Sequence, residues 1–221
     1  MNVLAVVPAF HEAGRVADVV RGVREHVACL VVDDGSDDGT AEAAEAAGAE
    51  VVRHDVNRGK GAALKTGFAY AEEHQWDGVI TLDADGQHDP ASIPAFLAAA
   101  DQGADIVVGR RQGWAEHGMP WIRRATNRVT SAVVSRLGRC RVADSQGGYR
   151  YISVRAWSAA RPETSSYDAE SEILIRAGRL GFRITEVPVR TIYGDEVSKI
   201  RPVRDTVRFV RLAIRYAFKR L

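Results

Sequence analysis

Four short apolar runs in the first half of the chain are each followed by a cluster of acidic, glycine or basic residues. The clusters occupy positions 8–12, 33–36, 57–61 and 81–90. Helical apolar patterns over 12–27, 41–47 and 61–74 separate the runs. Repeated strand–helix units of this kind predict an α/β fold, with a mostly parallel sheet and helices on both faces. Parallel strands bring the segments that follow them to one edge, so we expect the four clusters to converge on a ligand.

Composition is consistent with a globular protein, and 221 residues are enough for a single domain over 1–221. The net charge of +1 identifies no partner, and nucleic acid is not among the partners we expect. Cys29 and Cys140 match neither a disulfide framework nor metal-ligand spacing. The N-terminus reads as a first strand, and no apolar run approaches the length of a membrane-spanning helix. We therefore expect a cytoplasmic protein, peripheral on the membrane face.

The second half has a less regular pattern. A helix is predicted from Pro120 to Leu137, a strand from Tyr149 to Val154 and a helix from Asp168 to Arg179. A strand over 182–189 contains Pro188, which suggests an edge position, and a last helix covers about 203–221.

Two acids mark the fourth cluster as a candidate metal site. Asp83 and Asp85 are two residues apart, so on an extended chain their side chains point the same way, and Gln87 continues the spacing. Carboxylate and amide oxygens suit Mg²⁺ or Mn²⁺ and its phosphate ligands. Taken alone, the stretch fits a solvated acidic turn equally well.

Glycines flank Lys60 at a predicted helix start, where backbone N–H groups and the lysine could bind a phosphate. The spacing matches neither a Walker A loop nor a dinucleotide fingerprint, so an ordinary helix start remains an alternative.

The ordered motifs VVPAFHE, VVDDGSDDGT, NRGKGAAL and DADGQHDP resemble those of the inverting family 2 glycosyltransferases, which have the GT-A (Rossmann-like) fold. The later DSQGGYR, from Asp144, and SKIR, from Ser198, resemble the branch of dolichol-phosphate mannose synthases and polyprenyl-phosphate glycosyltransferases. The resemblance covers nearly the whole chain.

The resemblance implies a role for each matching position. The base and ribose of a nucleotide-sugar donor would be lined by Pro8, Phe10, Glu12, Val32 and Asp34. Its diphosphate end would be held by Asp83, Ala84 and Asp85, with Asp85 and Gln87 on the metal. Arg110 would contact the donor, and Lys199 would reach the donor phosphates. Lys60 joins the donor-binding candidates.

Three positions depart from the pattern of the branch. Phe10 stands where a tyrosine is usual, so a hydroxyl contact is missing, and His11 replaces an asparagine. The usual Gly-Ser-Arg is shortened to Gly109-Arg110.

The acceptor determines whether a general base is needed. An alcohol must lose a proton, whereas a phosphate monoester is already largely ionised near neutral pH. Arginines that could place a phosphate are Arg123, Arg124, Arg128 and Arg150. Asp144 is the candidate base or orienting carboxylate; alternatively it is a structural acid that pairs with an arginine such as Arg150. The catalytic candidates are Asp85, Asp144 and Lys199.

The last predicted helix carries a basic stripe along one side, formed by Arg204, Arg208, Arg211, Arg215 and Lys219. Apolar residues cover much of the rest of the helix, namely Val207, Val210, Leu212, Ile214, Phe218 and Leu221. A basic amphipathic helix of this kind can lie on an anionic bilayer. The alternative is a helix packed on the domain with a solvated arginine face. The helix predicted over 120–137 is a second basic and apolar element.

Together these features predict a metal-dependent transferase that moves a hexose to a polyprenyl or dolichyl phosphate at a membrane surface. By the resemblance, GDP-mannose is the first donor to expect and UDP-glucose the second. One alternative is a family member that glycosylates a soluble or polysaccharide alcohol. Another is a non-catalytic protein that binds nucleotide sugars.

Overall fold

The computed structural model describes residues 1–112, 121–164, 168–190, 192 and 202–218, with the backbone alone for 121–123 and 202–205. The described strands are β1 (Val3–Ala9), β2 (Ala28–Asp33), β3 (Glu50–Arg53), β4 (Gly78–Thr81), β5 (Ile106–Arg111), β6 (Arg150–Ser153) and β7 (Ile184–Val189). The described helices are α1 (Val16–Arg24), α2 (Thr40–Ala46), α3 (Lys60–Glu73), α4 (Ile93–Asp101), α5 (Trp121–Gly138), α6 (Val154–Ala160), α7 (Asp168–Arg179) and α8 (Pro202–Phe218).

The strands form one sheet in the order β3-β2-β1-β4-β6-β5-β7. Every neighbouring pair is parallel except those made by β6, which runs antiparallel to both β4 and β5. The predicted α/β class and mostly parallel sheet are confirmed. β1 lies between β2 and β4, so the strand order reverses beside it, and ligands bind at such switch points in open α/β sheets.

Alternation along β1 shows why the sheet has a core on each face. Val3, Ala5 and Val7 contribute to a cluster that includes α1, α2 and α4. Leu4 and Val6 contribute to a second cluster on the opposite face, which includes α3 and α5 to α8. Residues that alternate along a strand point to opposite faces, and a strand covered on both sides is therefore apolar throughout.

The start of the first helix differs from the prediction: α1 begins at Val16 rather than at Glu12. The N–H groups of His11 and Glu12 donate to the side-chain oxygens of Ser36 and Thr40. These side chains hold the segment as a loop against the end of β2, so it cannot continue the helix.

The second half follows the predicted order closely. α5, β6 and α7 form where they were predicted, and β7 lies at the edge of the sheet, as Pro188 suggested. The short helix α6 was not predicted; its N-terminus is capped by Ser153, which accepts a hydrogen bond from the N–H of Ala156. Residues 193–201, which include Lys199, lie outside the described ranges.

Candidate active site

The segments that follow β1 and β2 are joined by hydrogen bonds between backbone groups and from backbone N–H groups to side chains. The N–H of Asp34 donates to the carbonyl oxygen of Ala9 over 2.8 Å. The N–H groups of His11 and Glu12 reach Ser36 Oγ at 3.0 Å and Thr40 Oγ1 at 2.9 Å. The two loops therefore form one rigid wall on one side of the β1–β4 switch point.

Donor-binding candidates of the first two clusters lie along this wall. Pro8, Phe10 and Glu12 are partly exposed, and the Phe10 ring stacks on His11 with 4.0 Å between centroids. Val32 is fully buried in the core, so its side chain supports these loops from the interior of the protein. The structure places these residues together, and their contacts with a nucleotide stay a prediction.

Asp34 ties the second cluster to the third. Its carboxylate accepts hydrogen bonds from His54 Nδ1 at 2.7 Å, from the N–H of Arg58 at 2.9 Å and from the N–H of Gly59 at 2.7 Å. The next residue, Gly35, has φ +78°, and a Cβ on it would lie 2.7 Å from the carbonyl carbon of Val56. A glycine is needed here because the two loops pass in direct contact.

His54 is a site residue that the sequence analysis missed. It is buried beneath the wall, and its second ring nitrogen, Nε2, lies 2.9 Å from Thr66 Oγ1 on α3. His54 could have been found from its position directly after β3, because the other candidate clusters were also recognised by their position after a strand.

The loop after β4 carries the paired acids and is held by its own side chains. The N–H of Gln87 donates to Asp85 Oδ1 over 3.0 Å, and the N–H of Asp83 donates to His88 Nδ1 over 3.0 Å. His88 stacks on Tyr149. Burial lowers the pKa of His88, which keeps the imidazole neutral and able to accept this hydrogen bond.

A lysine lies between two carboxylates beside this loop. Lys60 Nζ is 2.6 Å from Asp83 Oδ1 and 3.3 Å from Glu170 Oε1. Burial would lower the pKa of Lys60, but the two negative charges outweigh it and raise the pKa above its ordinary value. Glu170, on the first turn of α7, was not predicted as a site residue, because no local motif marks it.

Asp85 and Gln87 have the chemistry of a Mg²⁺ or Mn²⁺ site. Both are partly exposed at the switch point, and together they offer carboxylate and amide oxygens. Among the described residues, no group of three or more His, Cys, Asp or Glu could hold a metal ion by itself. A cation here would need donor phosphates to complete its shell, which is the usual way in which Mg²⁺ is bound. Asp83 was also predicted as a ligand, but its carboxylate pairs with Lys60.

Asp144 is held by Arg111. Arg111 Nε donates to Asp144 Oδ2 at 2.7 Å and Nη2 donates to Oδ1 at 2.9 Å, while Asn127 Nδ2 adds a bond of 3.0 Å. Burial would raise the pKa of Asp144, but the hydrogen bonds and charge of Arg111 outweigh it and hold the pKa below its ordinary value. The alternative role suggested for Asp144 was a structural acid that pairs with an arginine such as Arg150; in the structure the arginine that holds Asp144 is Arg111, at the end of β5.

Arg150 is buried and faces inward. Its guanidinium donates to the carbonyl oxygens of Gly147, Ser145 and Glu170 at 2.8, 2.8 and 2.5 Å. These bonds shape the loop that precedes β6. They argue against Arg150 as a direct acceptor contact.

The other predicted arginines are closer to solvent. Arg110 and Arg128 are exposed and Arg124 is partly exposed, so each can reach a ligand; their roles stay predictions. The side chain of Arg123 lies outside the described part of the chain, as does Lys199.

α8 has a buried face and an exposed apolar face. Leu212 and Tyr216 are buried in the core, with Phe209 packed beside them. Val207, Val210, Ile214 and Phe218 are exposed, at spacings of three, four and four residues. At 3.6 residues per turn this stripe lies about 180° from the buried one. Leu212, listed in the sequence analysis among the apolar residues of this helix, belongs to the core.

The basic stripe of α8 lies beside the exposed apolar stripe. Arg211 and Arg215 are exposed and Arg208 is partly exposed. The side chain of Arg204, together with residues 219–221, is outside the described ranges. In the part of the chain that the structure describes, no helix is long and apolar enough to cross a membrane.

Comparison with known proteins identifies the sequence family. The model of the family described as "Glycosyl transferase family 2" matches residues 4–157. An undecaprenyl-phosphate mannosyltransferase of Micrococcus luteus is 31% identical over 202 residues, covering 86% of this chain and 83% of that protein. A UDP-N-acetylglucosamine–dolichyl-phosphate N-acetylglucosaminyltransferase of Methanococcus voltae is 30% identical over 212 residues, covering 85% of this chain and 84% of that protein. An uncharacterised protein of Methanocaldococcus jannaschii is 34% identical over 199 residues, covering 87% of this chain and 82% of that protein.

Solved structures share the fold. A glucosyl-3-phosphoglycerate synthase from Mycobacterium tuberculosis, in complex with Mn²⁺, uridine diphosphate and phosphoglyceric acid, aligns with a TM-score of 0.71. The alignment covers 98% of this chain and 77% of that one, at 23% identity. A complex of the same synthase with Mg²⁺ and uridine diphosphate aligns with a TM-score of 0.68 at 22% identity.

Proposed function

Because the chain belongs to glycosyl transferase family 2, we propose that it transfers a hexose from a nucleoside diphosphate sugar to a polyprenyl phosphate, with inversion. Relatives at 30–31% identity are named for undecaprenyl, polyprenol and dolichyl phosphate acceptors, which supports this class of acceptor. Their names include both mannose and N-acetylglucosamine. Mannose from GDP-mannose is our first choice of donor.

The pairing of Asp144 with Arg111 is the observation that carries the choice of acceptor. An alcohol acceptor needs a general base, and an efficient base has a pKa near the working pH. Asp144 is doubly bonded to Arg111 and has a lowered pKa, so it is a weak base. A phosphate monoester has a second pKa of about 6 and needs no base near neutral pH. It needs cations to place it, and Arg124 and Arg128 are accessible for that purpose.

In the proposed reaction, an oxygen of the acceptor phosphate attacks the anomeric carbon of the donor sugar. A carbon–oxygen bond forms on one face while the bond to the donor diphosphate breaks on the other, and the nucleoside diphosphate departs. Asp85 and Gln87 would hold Mg²⁺ or Mn²⁺. A divalent cation supplies charge compensation for the leaving diphosphate.

Lys199 is proposed as a second cation for the donor phosphates. The N–H of Ile192 donates to the carbonyl oxygen of Gln87 over 3.0 Å, which brings the chain to the Asp85 loop seven residues before Lys199. This contact supports the proposal because Ile192 lies beside the loop that carries Asp85 and Gln87.

Peripheral membrane contact through α8 is the remaining part of the proposal. The exposed stripe of Val207, Val210, Ile214 and Phe218 faces away from the core, and arginines flank it. A helix with this arrangement lies in the interface of an anionic bilayer, where each basic residue contributes about 1 kcal/mol. Such a contact would bring a lipid-linked acceptor to the chain.

A donor panel tests the proposed function. The chain is incubated with a short polyprenyl phosphate, Mn²⁺ and GDP-mannose, UDP-glucose or UDP-N-acetylglucosamine, and products are read by mass. We expect one donor to give the glycosylated polyprenyl phosphate, and Asp85→Asn to abolish it. Asp55→Asn, at an exposed aspartate after β3, is the matched control and should leave the yield unchanged. Absence of a glycosylated product with every donor would contradict the proposal.

A further inference from the structure

Three separate parts of the chain meet at Lys60. Lys60 opens α3, Asp83 follows β4, and Glu170 lies in the first turn of α7. The ammonium group is 2.6 Å from Asp83 Oδ1 and 3.3 Å from Glu170 Oε1. One cation thus bridges two carboxylates, and one of these carboxylates belongs to the Asp83–Asp85 pair.

The backbone at Gly148 closes over this ion pair. A Cβ on Gly148 would lie 2.9 Å from Lys60 Nζ and 3.5 Å from Glu170 Oε1. The carbonyl oxygen of Gly148 accepts a hydrogen bond from Thr81 Oγ1 at 2.7 Å. Since Thr81 ends β4, the strand that delivers Asp83 also fixes the position of Gly148.

Arg150 holds Glu170 from behind. Arg150 Nη1 donates to the carbonyl oxygen of Glu170 over 2.5 Å, and Nη2 lies 3.8 Å from Glu170 Oε2. The result is a row of alternating charges, which runs from Asp83 through Lys60 and Glu170 to Arg150. The position of Glu170 is therefore set by buried structure and not by the side chain of Lys60 alone.

Each acid of the loop has a defined contact. Asp83 has the Lys60 ammonium within hydrogen-bonding distance, and Asp85 accepts a hydrogen bond from the N–H of Gln87. Carboxylates brought together without a cation repel each other and attract divalent ions. An ammonium between Asp83 and Glu170 relieves that repulsion in the same way as a metal would.

We propose that Glu170 is a positioning residue of the donor site, which shares Lys60 with Asp83 so that the ammonium takes the place of a second divalent cation. Asp83 is thereby kept from the metal, which the proposed function assigns to Asp85 and Gln87. The inference rests on the proposed function for its donor and its metal, but it concerns how the acids of this chain are arranged.

The first test measures Mn²⁺ binding by electron paramagnetic resonance in the absence of nucleotide, and so does not depend on transfer activity. Lys60→Met removes the internal cation and should bind Mn²⁺ about tenfold more tightly than the wild type. Lys60→Arg keeps the charge and should behave as the wild type. Lys60→Met combined with Glu170→Gln should lose most of the gain. Equal affinity in Lys60→Met and wild type, or a gain that survives Glu170→Gln, would overturn the proposal.

A second measurement serves if Lys60→Met does not fold. Glu170→Gln removes one negative charge beside Lys60, and should strengthen metal-free binding of a nucleoside diphosphate about threefold or more in calorimetry. Glu72→Gln makes the same change at the other end of α3, where the side chain pairs with Arg161, and should have no effect. Unchanged or weaker binding in Glu170→Gln would identify a merely structural residue. A gain in either test, together with no glycosyl transfer, would refute the proposed function and leave the arrangement of charges standing.

Discussion

Arg111 holds Asp144 through two hydrogen bonds, of 2.7 and 2.9 Å, at the end of β5. The Asp144 side chain is fully buried, whereas Arg111 is about a quarter exposed, at 23%. The pair is bidentate, which fixes both side chains in one geometry. It links the last residue of a sheet strand to the loop that precedes β6.

The unequal burial of this pair predicts unequal costs of breaking it. Arg111→Met would leave a buried carboxylate without its cation and should lower the free energy of unfolding by about 3–5 kcal/mol. Asp144→Asn leaves a partly exposed guanidinium that water can reach, and should cost less. Chemical denaturation of both variants checks the order. A larger loss in Asp144→Asn would show that the burial of the pair is not what decides its contribution.

The lowered pKa of Asp144 predicts how stability depends on pH. Its pKa is depressed in the folded chain relative to about 3.9 in the unfolded chain, so the ionised pair stabilises the fold above that value. The contribution is lost as pH falls through the folded pKa. The difference in melting temperature between the wild type and Asp144→Asn should therefore be present at pH 7 and shrink below about pH 4. A difference that stays constant to pH 3 would contradict the pairing.

The two acids after β4 should differ in their effect on catalysis. Asp85→Ala removes the proposed metal ligand and should lower kcat by about 10²-fold or more. Raising Mn²⁺ should not restore the rate, because among the described residues no group of three or more His, Cys, Asp or Glu could hold the ion in place of Asp85. Steady-state kinetics over a range of Mn²⁺ concentrations measure both effects. Turnover of Asp85→Ala close to that of the wild type would remove Asp85 from the mechanism.

The sequence predicted the sheet edge better than it predicted the contacts made there. Apolar runs followed by polar clusters were enough to bring Asp34, Lys60 and Asp83 together, because parallel strands leave few other arrangements. Glu170 and Arg111 were missed since they approach from distant segments, and no spacing in the sequence encodes that approach. Arg150 was predicted as an arginine that could place the acceptor phosphate. In the fold it is buried, with backbone carbonyls as partners that a sequence pattern does not reveal.

α8 shows the same limit on one helix. The predicted apolar set was correct in composition, but the pattern did not show which apolar residues pack inward. Tyr216 donates its hydroxyl to Glu172 over 2.7 Å and, with Leu212, anchors the helix to the core. Burial raises the pKa of Tyr216 to about 12, so the hydroxyl keeps its proton at neutral pH. Deleting 203–221 would therefore remove part of the core, and point substitutions are the better test of membrane contact.

Substitutions on the exposed stripe of α8 should weaken membrane binding without unfolding the chain. Ile214→Asn and Phe218→Asn act on side chains that are 56% and 85% exposed, so the melting temperature should change little. Co-sedimentation with anionic vesicles should fall about tenfold in the double variant, since each lost side chain contributed roughly 1.5–3 kcal/mol at most when fully buried in lipid. Val56→Asn, at an exposed valine outside α8, is the matched control. Equal binding by both variants would contradict the role of the stripe.

The central claim is that the acceptor is a phosphate which needs no protein base. The most direct measurement offers the chain a short polyprenyl phosphate and the matching polyprenol in one reaction, with the donor found in the panel and Mn²⁺, and identifies the products by mass. The account predicts a hexosyl ester of the polyprenyl phosphate and no glycoside of the polyprenol. Asp144→Asn should keep the same choice of acceptor. Transfer to the polyprenol hydroxyl, lost in Asp144→Asn, would contradict it.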